Sequence, residues 1–142
     1  MVGILYSLLA GMVIAIQGAI NTRLGDKVGF WVTNSFVHGS GFIVSFIIYL
    51  FIRDGNLGQF QTVNKGYMIG GALGVLIVFS VMQGMGRLGT AYSVAFVLVA
   101  QLIFALIIDS FGLFGAEKTP LQWNKLAGVG VIIAGILIFK GK

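Results

Sequence analysis

Apolar residues run along this chain in long unbroken stretches, not in the single-face pattern of a soluble helix or the alternation of a strand. Four of these stretches carry no charge: Met1 to Thr22, Val28 to Ile52, Gly66 to Gly86 and Leu88 to Ile108. Each is long enough to cross a hydrocarbon core of roughly 30 Å as a helix, which takes about 20 residues. Another, Leu126 to Phe139, is shorter and on length alone would suit a buried or interfacial segment. It is read as a fifth crossing because Lys125 and Lys140 can snorkel outward from its two ends, and Trp123 supplies an interfacial aromatic anchor. The pattern predicts an all-α membrane protein with five transmembrane helices, at about 3–22, 29–52, 66–86, 89–109 and 123–140. The every-second-residue pattern of an outer-membrane barrel strand is absent.

Between the stretches lie Arg23 to Lys27, Arg53 to Lys65, a short turn around Arg87, and Asp109 to Lys125 with the only proline, Pro120. None is long enough for a soluble domain, so residues 1–142 are read as a single transmembrane domain. An odd number of crossings puts the termini on opposite sides. The first stretch lacks a basic n-region and is too long for a cleaved signal, so it is read as a retained helix.

Composition supports the same picture. Hydrophobic residues make up 58% and charged residues 9%, against roughly 25% charged in an ordinary soluble domain. Without cysteine, neither a disulfide nor a thiolate metal site is expected. The net charge of +5 suits contact with anionic headgroups in the lipid bilayer, and the nine Lys and Arg residues are scattered, so no nucleic-acid partner is expected. Cytoplasmic loops normally carry an excess of Lys and Arg. Here the second and fourth loops hold four (Arg53, Lys65, Lys118, Lys125), and the opposite side holds five (Arg23, Lys27, Arg87, Lys140, Lys142). Two explanations stand: unequal weighting of these charges fixes one orientation, or copies insert both ways and pair as an antiparallel homodimer, reproducing the inverted repeat of many transporters.

No charge sits in the middle of a stretch, but uncharged polar groups do. Gln17 and Asn21 are four apart near the end of the first helix, and Asn34 and His38 are four apart near the start of the second, each pair on one helix face. Counted from the loop between them at about 1.5 Å per residue, Gln17 and His38 lie at similar depth and can face each other. Gln83, Tyr92 and Ser93 lie near the turn on that same side, and Gln101 is midway along the fourth helix. Each amide alone is explained by an interhelical hydrogen bond that fastens the bundle; gathered together, they are candidate substrate-binding groups. His38, the only histidine, is of the type that exchanges protons near neutral pH, although an imidazole out of water is favoured neutral and then serves as a hydrogen-bonding ligand. Asp109 ends the fourth helix, where a carboxylate opposes the helix dipole, so it is the second candidate for proton coupling, with pairing to a loop cation as the alternative.

Helices associate in lipid through close contact at small residues. Gly11, Ala15, Gly18 and Ala19 share one side of the first helix, and Gly70 and Gly74 form a Gly-x-x-x-Gly in the third. In the last helix, Ala127, Gly130 and Ala134 are candidates for a dimer or helix-packing surface. Catalysis is not expected: one histidine, no cysteine and no paired carboxylates leave no acid/base or nucleophilic constellation, and no cofactor or metal is implied.

Taken in order, Gly11, Gln17, Asn21, Leu24, Gly25, Phe36 and Gly39 resemble the opening of the five-helix, half-size (YdcZ-like) branch of the drug/metabolite transporter superfamily. Gln101 followed by Ile108, Asp109, Phe111 and Gly112, and the third-helix glycines Gly70, Gly71 and Gly74, extend the resemblance over essentially the whole chain. It implies half of the ten-helix superfamily fold and an inner-membrane transporter or exporter of small molecules. The related four-helix small multidrug resistance proteins use a first-helix glutamate, which this chain lacks, so their exchange of cation and protons at one carboxylate is not carried over. The expected activity is transport of a neutral or weakly polar solute by alternating access in a dimer. The alternatives are a non-transporting scaffold or accessory subunit, and a passive channel.

Overall fold

The computed structural model describes residues 2–139, which are 88% helical and contain no strand. In hydrocarbon the backbone finds no water to bond with, so an apolar stretch satisfies its own N–H and C=O groups as a helix. Five helices follow: α1 (Val2–Val28), α2 (Phe30–Ile52), α3 (Gly70–Leu88), α4 (Thr90–Phe111) and α5 (Trp123–Phe139). Four spans are long and apolar enough to cross a membrane, the third counted from Lys65 to Leu88. The 17 residues of α5 rise about 26 Å, somewhat less than a hydrocarbon core of roughly 30 Å. Lys140, expected to flank this helix, lies outside the described residues.

The first connector differs from the expectation. Arg23 to Lys27 is not a loop but the last part of α1: the run has no proline, and the cost of Gly25, about 1 kcal/mol, is too small to end the helix. The chain reverses at Gly29, whose φ of 96° and ψ of 144° suit only a residue without Cβ. Its N–H donates to the Gly25 carbonyl at 2.9 Å and its own carbonyl accepts from Thr33 N–H at 3.0 Å, so one residue ends α1 and starts α2. The turn placed around Arg87 moves in the same way. Arg87 is the basic residue in the last turn of α3, and the reversal falls at Gly89, with φ 81° and a carbonyl that accepts from Ser93 N–H at 3.1 Å. Lys27 occupies the matching last turn of α1, and a cation there is favourable against the helix dipole.

The connector after α2 is built from two short 3-10 turns, Leu57–Gln61 and Lys65–Ile69. In each an asparagine side chain caps the start: Asn56 Oδ1 accepts from Gly58 N–H, and Asn64 Oδ1 from Gly66 N–H, both at 2.9 Å. The second turn delays the α-helix to Gly70, later than the expected start near residue 66.

The described residues form two compact units that divide between Gly86 and Arg87. In the first, α3 lies against both members of the α1–α2 hairpin. A Cβ on Gly18 would come within 2.6 Å of Met85 Cε and 2.9 Å of Val81 Cγ1, and one on Gly86 within 3.6 Å of Thr22 Cγ2. Gly18 therefore permits close approach, as does Gly25, where a Cβ would come within 2.6 Å of Phe30 Cδ1, whereas Gly11 borders open space. In the second unit, α4 ends at Gly112 in the left-handed region, and the following loop folds back so that Thr119 N–H donates to the Asp109 carbonyl at 2.9 Å.

Large apolar side chains cover the outside, while the buried non-glycine side chains are mainly polar: Asn21, Thr22, Thr33, Asn34 and Ser93, against Met82, Met85 and Ile136. This inversion of the soluble pattern is what a lipid surround allows. Gly18→Val is expected to destabilise the protein by about 1–3 kcal/mol, the usual cost of overpacking, seen as a lower melting temperature of purified protein in nanodiscs. Gly11→Val should leave that temperature nearly unchanged.

Candidate functional site

The second helix presents different side chains to its two neighbours. Toward α3 it turns Trp31, Asn34 and His38, spaced three and four apart. The Trp31 and Phe79 rings stack at 4.6 Å with 11° between their planes. Asn34 Nδ2 donates to the Val75 carbonyl at 2.8 Å. His38 lies over Gly74, where a Cβ would come within 3.1 Å of the imidazole Cε1. The partners descend along α3 as the residues ascend along α2, so the seam is antiparallel. Gly74 thus serves the Gly-x-x-x-Gly by admitting a polar ring, while Gly70 borders open space.

Polar atoms in this stretch of α2 are left without partners. Thr33 is fully buried and Asn34 is 2% exposed, and Thr33 Oγ1, Asn34 Oδ1 and His38 Nε2 are all buried with no hydrogen bond. A carbonyl can only accept, so the NH2 group of Asn34 must be the one facing Val75, which leaves its oxygen as the unpaired atom.

Toward α1, the same helix borders a mainly apolar groove of about 480 Å³, walled by residues such as Leu24 and Val37, whose polar lining is Gln17, Asn21, Ser40 and Ser45. Ser40 and Ser45 bond back to carbonyls within α2, at Val37 and Phe42. The amides of Gln17 and Asn21 are the polar groups left to face the groove. Gln17 and His38 do not face each other as the loop count suggested. The reversal at Gly29 puts Gln17 twelve residues before it (29 − 17) and Asn21 eight (29 − 21), with His38 nine after (38 − 29). Asn21 is therefore the residue level with His38, and His38 itself turns to α3.

The remaining candidates are more dispersed. Gln83 is half-buried on α3. In the second unit, Tyr92 is half-buried with its ring edge-on to Phe96 at 4.9 Å, Ser93 is buried, and Gln101 is exposed. Asp109 is half-buried, and its contact with Thr119 is made by the backbone carbonyl. Ala127 and Ala134 are exposed, and Gly130 lines an apolar groove of about 570 Å³ between α4 and α5 with Ile103, Leu106 and Ile133. Sequence reasoning passed over Thr33, although it adjoins Asn34, and did not pair His38 with Gly74, for which sequence spacing holds no signal.

A chain whose described residues are 88% helical, apolar outside and polar but uncharged within, is an integral membrane protein. Over residues 2–138 it matches the family model described as "Putative inner membrane exporter, YdcZ", and it belongs to that family. It is an inner-membrane protein, of a family described by transport and not by catalysis. No curated protein and no solved structure matches it.

Asn34→Ala is expected to cost about 1–3 kcal/mol, since it removes the bond to Val75 from a buried seam. Asn34→Asp should cost more, because it sets an acceptor against the carbonyl. Thermal unfolding of the two variants in nanodiscs gives the order.

Proposed function

We propose that this protein exports a small neutral or weakly polar solute across the inner membrane, crossing it five times and working as a dual-topology antiparallel homodimer by alternating access. The observation that carries the reading is the set of uncharged polar groups on both sides of α2, in otherwise apolar surroundings: Gln17 and Asn21 on the groove, Asn34 and His38 on the seam. A permanent ion entering such a lining would lose its hydration and meet no opposite charge, which is costly in a membrane interior. A neutral solute instead exchanges water for amide and imidazole contacts.

Family membership supports export as the class of activity. The near-even loop charges, four against five, support insertion in both orientations. Two copies so inserted make ten helices related by an in-plane two-fold axis, the arrangement in which transporters place their site near the midplane. Gln101, midway along α4, is the residue of the second unit proposed to meet its copy at that depth. Gln83 and Tyr92 are further candidate substrate-binding residues, and Ala127, Gly130 and Ala134 are candidates for helix or subunit packing.

The chain has no native cysteine, so a single introduced one reports orientation directly. A Lys142→Cys variant is expected to react in part with an impermeant maleimide in intact vesicles and fully after permeabilisation. Complete or absent labelling before permeabilisation would contradict dual insertion. For transport, a thermal-shift screen of neutral metabolites identifies a ligand, because binding stabilises the native state. Its flux into proteoliposomes should saturate and fall at least tenfold in His38→Ala and Gln101→Ala variants that keep their melting temperature.

A further inference from the structure

The α2–α3 seam holds more hydrogen-bonding capacity than it uses. Asn34 has its NH2 group committed to Val75 and cannot rotate without losing that bond, so Oδ1 is a fixed acceptor pointing at no donor. His38 Nε2 is buried and unpaired one turn along the same face, and Thr33 Oγ1 is buried and unpaired beside Asn34. Orphaned polar atoms inside a protein are rare, because each forfeits its bond to water and receives nothing in return. Three on one short length of helix, in a protein surrounded by lipid, call for a partner that the chain itself does not supply.

We infer that the α2–α3 seam is a binding site, closed in this structure, for an uncharged solute that donates a hydrogen bond through an N–H or O–H group to Asn34 Oδ1, with His38 Nε2 as its second contact. The only unpaired group of fixed polarity is an acceptor, so the ligand must bring a donor. The seam-facing partners Gly74, Val75 and Phe79 carry no charge, so neither an anion nor a quaternary cation finds a counterion there. Gly74 is what lets the seam close: any side chain larger than hydrogen at that position presses on the imidazole. The stacked pair of Trp31 and Phe79, one turn before Asn34, is disturbed when the seam parts to admit a ligand.

This inference names the chemistry of the solute and rests on the transport reading only in taking the bound molecule to be the one carried. Binding is measured without transport. The chain has two tryptophans, so in a Trp123→Phe background Trp31 alone fluoresces and reports the stack. Purified protein in nanodiscs is titrated with four probes of one shape: cyclohexanecarboxamide, its N,N-dimethyl amide, cyclohexanecarboxylate, and (cyclohexylmethyl)trimethylammonium. The carboxamide is expected to change Trp31 emission saturably, and the other three to give only the linear drift of partitioning into lipid. Asn34→Leu should weaken the carboxamide response at least tenfold. Since that change also removes the bond to Val75, His38→Phe serves as the second variant, with the Asn34–Val75 bond in place and the same loss expected. An equal response to the dimethyl amide, or a carboxamide response unchanged in both variants, overturns the inference. So does no saturable response at all, which would mean the orphaned atoms hold water only. In each of these cases saturable flux on the same preparation still decides the transport reading separately.

Discussion

Hydrocarbon donates and accepts no hydrogen bonds, and the rest of this structure follows from that constraint. It makes every crossing segment a helix and keeps charges at the ends, as with Lys27 and Arg87 in the last turns of α1 and α3. It also reverses the soluble arrangement, with phenylalanine, leucine and isoleucine outside and asparagine, threonine and serine inside. A polar group so placed must find its partner within the protein or remain costly. The bond from Asn34 to the Val75 carbonyl is one such partner, and it holds α2 to α3 at the level where the other polar atoms gather.

The second helix is the organising element because its two polar stripes do different things. On the α1 side, the serine hydroxyls turn back to their own helix and the opposing amides of Gln17 and Asn21 border an open groove. On the α3 side, the contact is tight, with an aromatic stack, an amide bond and an imidazole on a glycine in antiparallel order. One face borders an open groove; the other is closed with its hydrogen-bonding capacity unspent.

The helical membrane class was legible because apolar stretches of that length have few other physical readings. Helix ends were less so. Charges at Arg23 and Lys27 looked like a loop, yet a cation at a helix C-terminus is favourable, and the reversal needed a left-handed glycine that only the backbone reveals at Gly29. That shift altered the depth count and made Asn21, not Gln17, level with His38. The polar residues of α2 were identified by type, and the i, i+4 relation of Asn34 and His38 correctly put them on one face. Which neighbour that face meets was beyond the pattern, since it depends on Gly74 admitting the imidazole while Gly70 meets nothing. Gly18 and Gly11 illustrate the same limit: a small residue permits close approach, and only the fold decides whether a helix takes the place.

The antiparallel α2–α3 seam carries Asn34 and His38, and cross-linking probes it in a chain free of native cysteine. Cysteines at Trp31 and Phe79 replace two rings that stack at 4.6 Å, whereas a cysteine at Phe36 lies on the α1 side of the same helix. In native membranes treated with a mild oxidant or a short bis-maleimide, the Trp31→Cys/Phe79→Cys pair should link rapidly and within one chain, and the Phe36→Cys/Phe79→Cys pair should not. Linking of the second pair in preference to the first would show that α2 turns its other face to α3, and the site built on Asn34 and His38 would be wrong.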